Sequence, residues 1–420
     1  MRTARPFRGR KARHALVLAS CLAASALVAP LASYAATPLI PAVAPLPSGA
    51  DTIPQAYLNG VVCTSSTQCV AVGRYQAHSG GGKALIISRS GGSWGSAHSV
   101  TLPANAANPA DATLNAVACR SFGNCTAVGS YGVAGGRAAM IVVEHSGTWS
   151  AAFRSPLPGG WVLSGVTALN AVHCTSVANC IAVGQFTKAS GNQGFIVHSS
   201  GGVWGHALTA PLPVRAKSNF ITQLDGVTCT TAGNCTAVGQ YVNTDPAREA
   251  MILTEVSGAW VSSKKVELPT NAHRDPWAGL FSITCSSVGY CTSVGVYQGP
   301  HGGQGLISVE AGGVWRRGIA APLPPGQSVI NRSVQLLSVT CTSFGNCRAV
   351  GQDSAGLVDY GVMETEKSGH WGAVVTPRPV DASSPIYNVL NAISCASTAR
   401  CQMVGEYQAH LGQPALTISL

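Results

Sequence analysis

The chain has 420 residues, 46% of them hydrophobic and only 10% charged, with Gly 48 and Pro 24. Small residues abound and long helical periodicities are missing, which excludes a helical protein and points to an all-β chain rich in turns. The formal charge of +10 is uneven: six of the 26 Lys and Arg lie between Arg2 and Arg13, and the other twenty exceed the 16 Asp and Glu by only four, too thin an excess for a nucleic-acid surface.

The first segment reads as a leader. Arg2, Arg5, Arg8, Arg10, Lys11 and Arg13 form a basic region, an apolar run follows from Ala15 to Leu31, and Ser33-Tyr34-Ala35 fits the small-x-small cleavage rule. The expectation is a signal peptide over 1–35 and a secreted mature chain over 36–420. A competing reading is lipid attachment, since Leu18-Ala19-Ser20-Cys21 resembles a lipobox and would anchor the protein at the cell surface through Cys21. Against it, the apolar run continues well past Cys21. No later apolar stretch reaches the roughly 20 residues of a transmembrane helix.

Beyond the leader the chain repeats. Cys, five residues, Cys, one residue, then Ala/Ser-Val-Gly begins at Cys63, Cys119, Cys174, Cys229, Cys285 and Cys341, with a worn copy at Cys395; the first cysteines stand 56, 55, 55, 56, 56 and 54 residues apart. The repeats start near residues 58, 114, 169, 224, 280, 336 and 390. Copy two lays out four strands: A over Leu114–Cys119, B over Thr126–Tyr131, C over Ala138–Glu144 and D over Trp149–Leu157, cut by Gly, Asn and Ser turns. Trp94, Trp149, Trp204, Trp260, Trp315 and Trp371 share one repeat position, and a Leu-Pro follows eight residues later in the first five copies. In copy six Arg378-Pro379 stands there instead, one residue early.

A unit this short cannot bury a core alone, so the copies must pack on one another. Four-stranded units repeated seven times predict a seven-bladed β-propeller of antiparallel blades, with a linear solenoid as the rival. The chain ends decide. Copy seven stops after its third strand, Ala415–Leu420, while the missing outer strand lies at the start, in Pro38–Pro47. Leu46 precedes Leu58 by the same twelve residues that separate Leu102 from Leu114 and Leu157 from Leu169. The N-terminal strand should therefore complete the last blade and close the ring.

Of 15 Cys, fourteen form seven local pairs: Cys63–Cys69, Cys119–Cys125, Cys174–Cys180, Cys229–Cys235, Cys285–Cys291, Cys341–Cys347 and Cys395–Cys401. An even count in an exported chain reads as disulfides. Each pair ends strand A and begins strand B, so the two face each other across a hairpin, near 4.5–5.5 Å between Cα atoms. On the chain-entropy estimate each bridge contributes roughly 2.4 kcal/mol. No His or further Cys recurs beside them to complete a metal site.

The A–B and C–D turns share one face of the ring; the variable B–C and D–A loops share the other, where binding is expected. Trp161 and Trp277 stand outside the repeat register, both in D–A loops, as candidate stacking platforms or as local plugs over a blade end. Tyr75-Gln76-Ala77-His78, Tyr297-Gln298-Gly299-Pro300-His301 and Tyr407-Gln408-Ala409-His410 recur in B–C loops, so His78, His301 and His410 are candidates for a binding rim, unless the recurrence is repeat similarity alone. His173 reads as an inner-strand histidine. Asp111, Asp225, Asp245, Glu249, Asp275, Asp353 and Asp359 occupy different repeat positions, and no pair stands out as acid and base. No catalytic serine elbow, zinc motif, phosphate loop or calcium loop is present, so no catalytic residue, metal or cofactor is assigned.

Ser88-Arg89-Ser90-Gly91-Gly92-Ser93-Trp94 resembles the Asp-box of sialidase-like (BNR) propellers, although the Asp is missing and the spacing is one residue short. No arginine cluster, acid or Tyr/Glu pair carries over from that family. Over residues 58–420 the units are similar to those of secreted bacterial repeat proteins with Cys-x5-Cys-x-Ala-Val-Gly followed by Ser-Gly-x-Trp. That resemblance implies a propeller and export, and no activity. The functional expectation is a secreted, monomeric, non-catalytic scaffold that binds an extracellular protein or polysaccharide through its variable-loop face. The alternative is a carbohydrate-active hydrolase or lyase using loop carboxylates.

Overall fold

The computed structural model describes residues 39–162, 165–205, 207–217, 221–324 and 332–420. The leader, its cleavage position and Cys21 lie outside the described residues. Seven antiparallel sheets follow one another along the chain and form the ring of a seven-bladed β-propeller. In blade two, strand A is Thr113–Ser121, B is Asn124–Val133, C is Gly136–His145, and D is split into Thr148–Trp149 and Phe153–Arg154. The split departs from the continuous outer strand expected. At the break the Val143 N–H donates to the Ser150 hydroxyl (3.2 Å), so a side chain takes a place in the ladder. Among the described residues no helix is long and apolar enough to cross a membrane.

Blade seven is completed from the other end of the chain. Ile40–Val43 pairs antiparallel with Ala415–Ser419, from Ile40 opposite Ser419 to Val43 opposite Leu416. The strand is shorter than the Pro38–Pro47 stretch that suggested it. Pro41 lies on the outer edge, where a missing N–H breaks no ladder bond. The inner strand of blade seven (Asn388–Ser397) then lies against that of blade one (Ala56–Cys63), and the ring is closed.

The apolar core is divided among the seven blade junctions. Val70, Val72 and Ile86 of blade one pack with Leu114, Val117 and Met140 of blade two. Val404 and Ala415 of blade seven pack with Leu58, Leu85 and Ile87 of blade one. Each cluster needs two blades, as the shortness of the repeat requires.

Every inner strand carries a one-residue bulge, first between Leu58 and Gly60 and last between Leu390 and Ala392. The bulged residues are Asn59, Asn115, Asn170, Asp225, Phe281, Leu337 and Asn391. The Gly of each Ala-Val-Gly lies opposite. A Cβ on Gly73 would stand 2.0 Å from the Tyr57 carbonyl oxygen, and one on Gly129 would stand 2.0 Å from that of Thr113. This glycine is retained in all seven copies because the bulged backbone occupies the space of a side chain. The seven disulfides close their hairpins as paired above, with Cα atoms 4.0 Å apart, tighter than the expected spacing.

Blade six holds a misfit. Glu364 takes the core position of Ile87 and Val142. It is fully buried, and neither carboxyl oxygen has a hydrogen-bond partner. Burial first, and then the nearby Asp353, push its carboxyl from 4.5 up to about 8. The folded state therefore holds a proton that the unfolded chain releases above its ordinary value, so this group's contribution falls as pH rises between those values.

Two outcomes follow from the packing. Gly129→Ala should lower unfolding free energy by about 3 kcal/mol or more in denaturant titration, while Gly372→Ala, with nothing within 4 Å of its added Cβ, should stay within roughly 0.5 kcal/mol. Glu364→Leu should stabilise by about 2 kcal/mol at pH 8, with a smaller gain at pH 5, read from melting curves at both.

Candidate functional site

The two faces of the ring differ as their turns do. On one, the A–B and C–D turns are sewn together: Gly147 N–H donates to the Gly123 carbonyl (2.9 Å) and Gly258 N–H to that of Gly233 (2.8 Å). On the other, the described D–A loops meet the next B–C loop, as where Ala107 N–H donates to the Gly132 carbonyl (2.9 Å). Short uniform turns leave the first face little freedom; loop length is free to vary on the second.

An axial cavity of about 250 Å³ runs between the inner strands of all seven blades, and the bulged residues line it. Four of them clamp the ring. The side-chain amides of Asn59, Asn115, Asn170 and Asn391 donate to the carbonyls of Leu114, Leu169, Leu224 and Leu58 in the next blade, at 2.9, 2.9, 3.0 and 3.0 Å. Blades five and six have Phe281 and Leu337 there. Their junctions are clamped one residue later, where Ser282 and Ser338 hydroxyls accept from Val339 and Ile393 N–H at 3.1 and 3.2 Å.

Asp225 is the departure in blade four. Its Oδ1 accepts from Asn170 (3.1 Å) and from Gln223, while Oδ2 is buried without a partner. Burial raises its carboxyl from 3.8 to about 7, opposed by the two amide bonds and by Arg248. Arg248 links this acid to Trp277. Its guanidinium lies 4.3 Å from the Trp277 ring centre and donates to the Gln240 side chain (3.3 Å). Trp277 is 57% exposed and sits at φ +43, a left-handed backbone that a bulky side chain adopts only at a cost. Its position, three residues before the inner-strand Leu, is that of Asp111 in blade two and Tyr387 in blade seven. Pro276, the neighbour of Trp277 in the chain, lines an open groove of about 450 Å³ with Lys265, Arg274, Arg317, Glu249 and Glu267.

The other candidates are dispersed. Trp161 is 38% exposed and is likewise stacked by an arginine, Arg154, at 4.3 Å, but it belongs to the blade two–three junction. His78, His301 and His410 are exposed at loop tips of blades one, five and seven. The Tyr of their shared motif is structural: Tyr297 and Tyr407 are buried and donate to Asn271 (2.8 Å) and Asp381 (2.9 Å) of the D–A loops. His173 is half-buried on the disulfide face, where burial and Arg120 hold its imidazole down near 4, so it stays neutral. Four of the seven candidate acids form ion pairs: Asp111 with Arg74 (3.1 Å), Asp245 with Arg215 (2.6 Å), Glu249 with Lys265 (2.5 Å) and Asp353 with buried Arg332. Asp275 is exposed.

Sequence reasoning missed two features. One is the bulge ring, although Leu-Asn at Leu58, Leu114, Leu169 and Leu390 was a visible signal. The other is a Tyr387–Glu406 hydrogen bond (3.2 Å) with Asp359 bridged to Tyr387 through the backbone. Burial raises the Glu406 carboxyl, and burial with Glu406 and Asp359 raises the Tyr387 phenol.

No protein-family model matches the chain, and no curated protein matches it. Among solved structures it is similar to a protein of unknown function from Dyadobacter fermentans DSM 18053, at 10% identity over 91% of this chain and 98% of that one, with TM-score 0.49. It is also similar to Hadza microbial sialidase Hz136, at 10% identity over 87% of this chain and 65% of that one, with TM-score 0.39. A third likeness is to a subtype N10 neuraminidase-like protein of A/little yellow-shouldered bat/Guatemala/060/2010, at 8% identity over 72% and 93%, with TM-score 0.41. Likeness at this level concerns the fold and assigns no activity.

The raised Asp225 carboxyl has a measurable consequence. Its contribution to stability should fall as pH rises from its ordinary 3.8 to about 7 and level off above. Asp225→Asn should remove that slope from melting temperatures collected across the window; an unchanged slope would place the acid elsewhere.

Proposed function

We infer that the protein is an exported, non-catalytic scaffold that binds polysaccharide on its variable-loop face. The observation that carries this reading is Trp277, a strained and exposed aromatic ring stacked on Arg248 and next in the chain to Pro276, which lines an open groove with charged side chains. A saccharide ring stacks its C–H face on such a platform, and the guanidinium, amides and carboxylates around it serve its hydroxyl groups. A protein partner would call instead for a broad apolar centre. Seven disulfides suit an extracellular setting.

A second reading, a glycoside hydrolase, is favoured by one observation: the Tyr387–Glu406 pair beside Asp359. A carboxyl raised by burial is suited to protonating a leaving group. The two readings separate by experiment. On an array of plant, fungal and bacterial-envelope polysaccharides, the wild type should bind at least one polymer, and Trp277→Ala should weaken it about tenfold. Binding that survives Trp277→Ala would overturn the first reading. Release of reducing ends from that polymer, lost in Glu406→Gln, would establish the second.

A further inference from the structure

We propose that the axial cavity is itself a binding site for a single sugar ring, held between the polar arc of bulged residues and Phe281 with Leu337. The argument begins with what the ring does not need. The asparagines clamp neighbouring blades, and blades five and six meet the same demand through Ser282 and Ser338. Phe281 and Leu337 therefore have no part in the clamp. They are half-buried side chains facing a polar cavity, where apolar surface is unfavourable until something covers it.

The two kinds of lining are sorted by blade. Blades seven, one, two, three and four place Asn391, Asn59, Asn115, Asn170 and Asp225 in one unbroken arc; the adjacent blades five and six supply the apolar one. Asn59 and Asn170 each donate to two acceptors and Asn115 and Asn391 each give one N–H to the next blade, so what remains for a ligand is chiefly acceptors, the four amide oxygens, with the Asp225 carboxyl beside them. A ligand matching both arcs has several hydroxyl donors along one edge and a C–H face along the other. A pyranose has this distribution, and the cavity, about 250 Å³, admits one ring rather than a chain. A bare cation fits less well. It needs an ionised carboxylate, and burial opposes that charge on Asp225.

This rests on the loop-face reading only in taking saccharide as the ligand class, and its test is separate. The probes are free glucose, galactose, mannose and N-acetylglucosamine, titrated into the protein at millimolar concentrations and followed by saturation-transfer NMR. At least one should bind with a millimolar constant. Phe281→Ser should weaken it about tenfold, and Asp225→Asn, which keeps the shape, should change affinity severalfold. Trp277→Ala should leave free-sugar affinity within about twofold. If Phe281→Ser fails to fold, Leu337→Ser probes the same arc. Absence of binding by all four sugars, or binding indifferent to both arcs, overturns the proposal. Polymer binding lost in Trp277→Ala without any free-sugar binding would sink this inference and leave the loop-face reading standing.

Discussion

The structure depends on one backbone irregularity used seven times, the bulge in each inner strand with a glycine opposite. The extra residue turns the preceding Leu (Leu58, Leu114 and their equivalents) into the junction between blades. It also turns the bulged side chain toward the axis. One irregularity thus supplies both the apolar contact and the polar clamp that hold neighbours together. Glycine is required because the carbonyl of the residue before that Leu, such as Tyr57 or Thr113, stands where its side chain would be.

Because the core lies between blades, no blade is stable without two neighbours, and a chain of such units has two unsatisfied ends unless it closes. Closure by Ile40–Val43 removes both ends at once. The disulfides and paired glycine turns then stiffen one face, where each hairpin is short and stapled. The opposite face inherits the freedom. Its loops carry Trp161, Trp277 and Tyr387, and its junctions vary in chemistry: an ion pair at Asp111, cation–π stacks at Trp161 and Trp277 and a phenol–carboxyl bond at Tyr387.

Legibility in the sequence followed periodicity. The cysteine, glycine and tryptophan marks repeat because each serves a demand present in every blade, so counting found them. Site chemistry breaks the repeat. Asp225 matters because it stands among asparagines, and Phe281 because it faces the same cavity from the other side, relations visible only once the copies are superposed in space. The Tyr-Gln recurrence is of the converse kind: Tyr297 and Tyr407 tether a loop, and the histidines that follow lie at loop tips of three different blades.

The sequence by itself determined the number of blades, their strand order, the hairpin each disulfide closes and the use of the first strand to complete the last blade. These are consequences of local spacing and of the need to cover an apolar face, and spacing is readable along a line. Only the tertiary structure decided which residues of different blades meet at the axis, which acids are paired with a cation, and which keep a buried oxygen without a partner, as Glu364 and Asp225 show. Those outcomes turn on distances across junctions some 55 residues apart in the chain, where burial and Coulomb forces act through space rather than along the backbone.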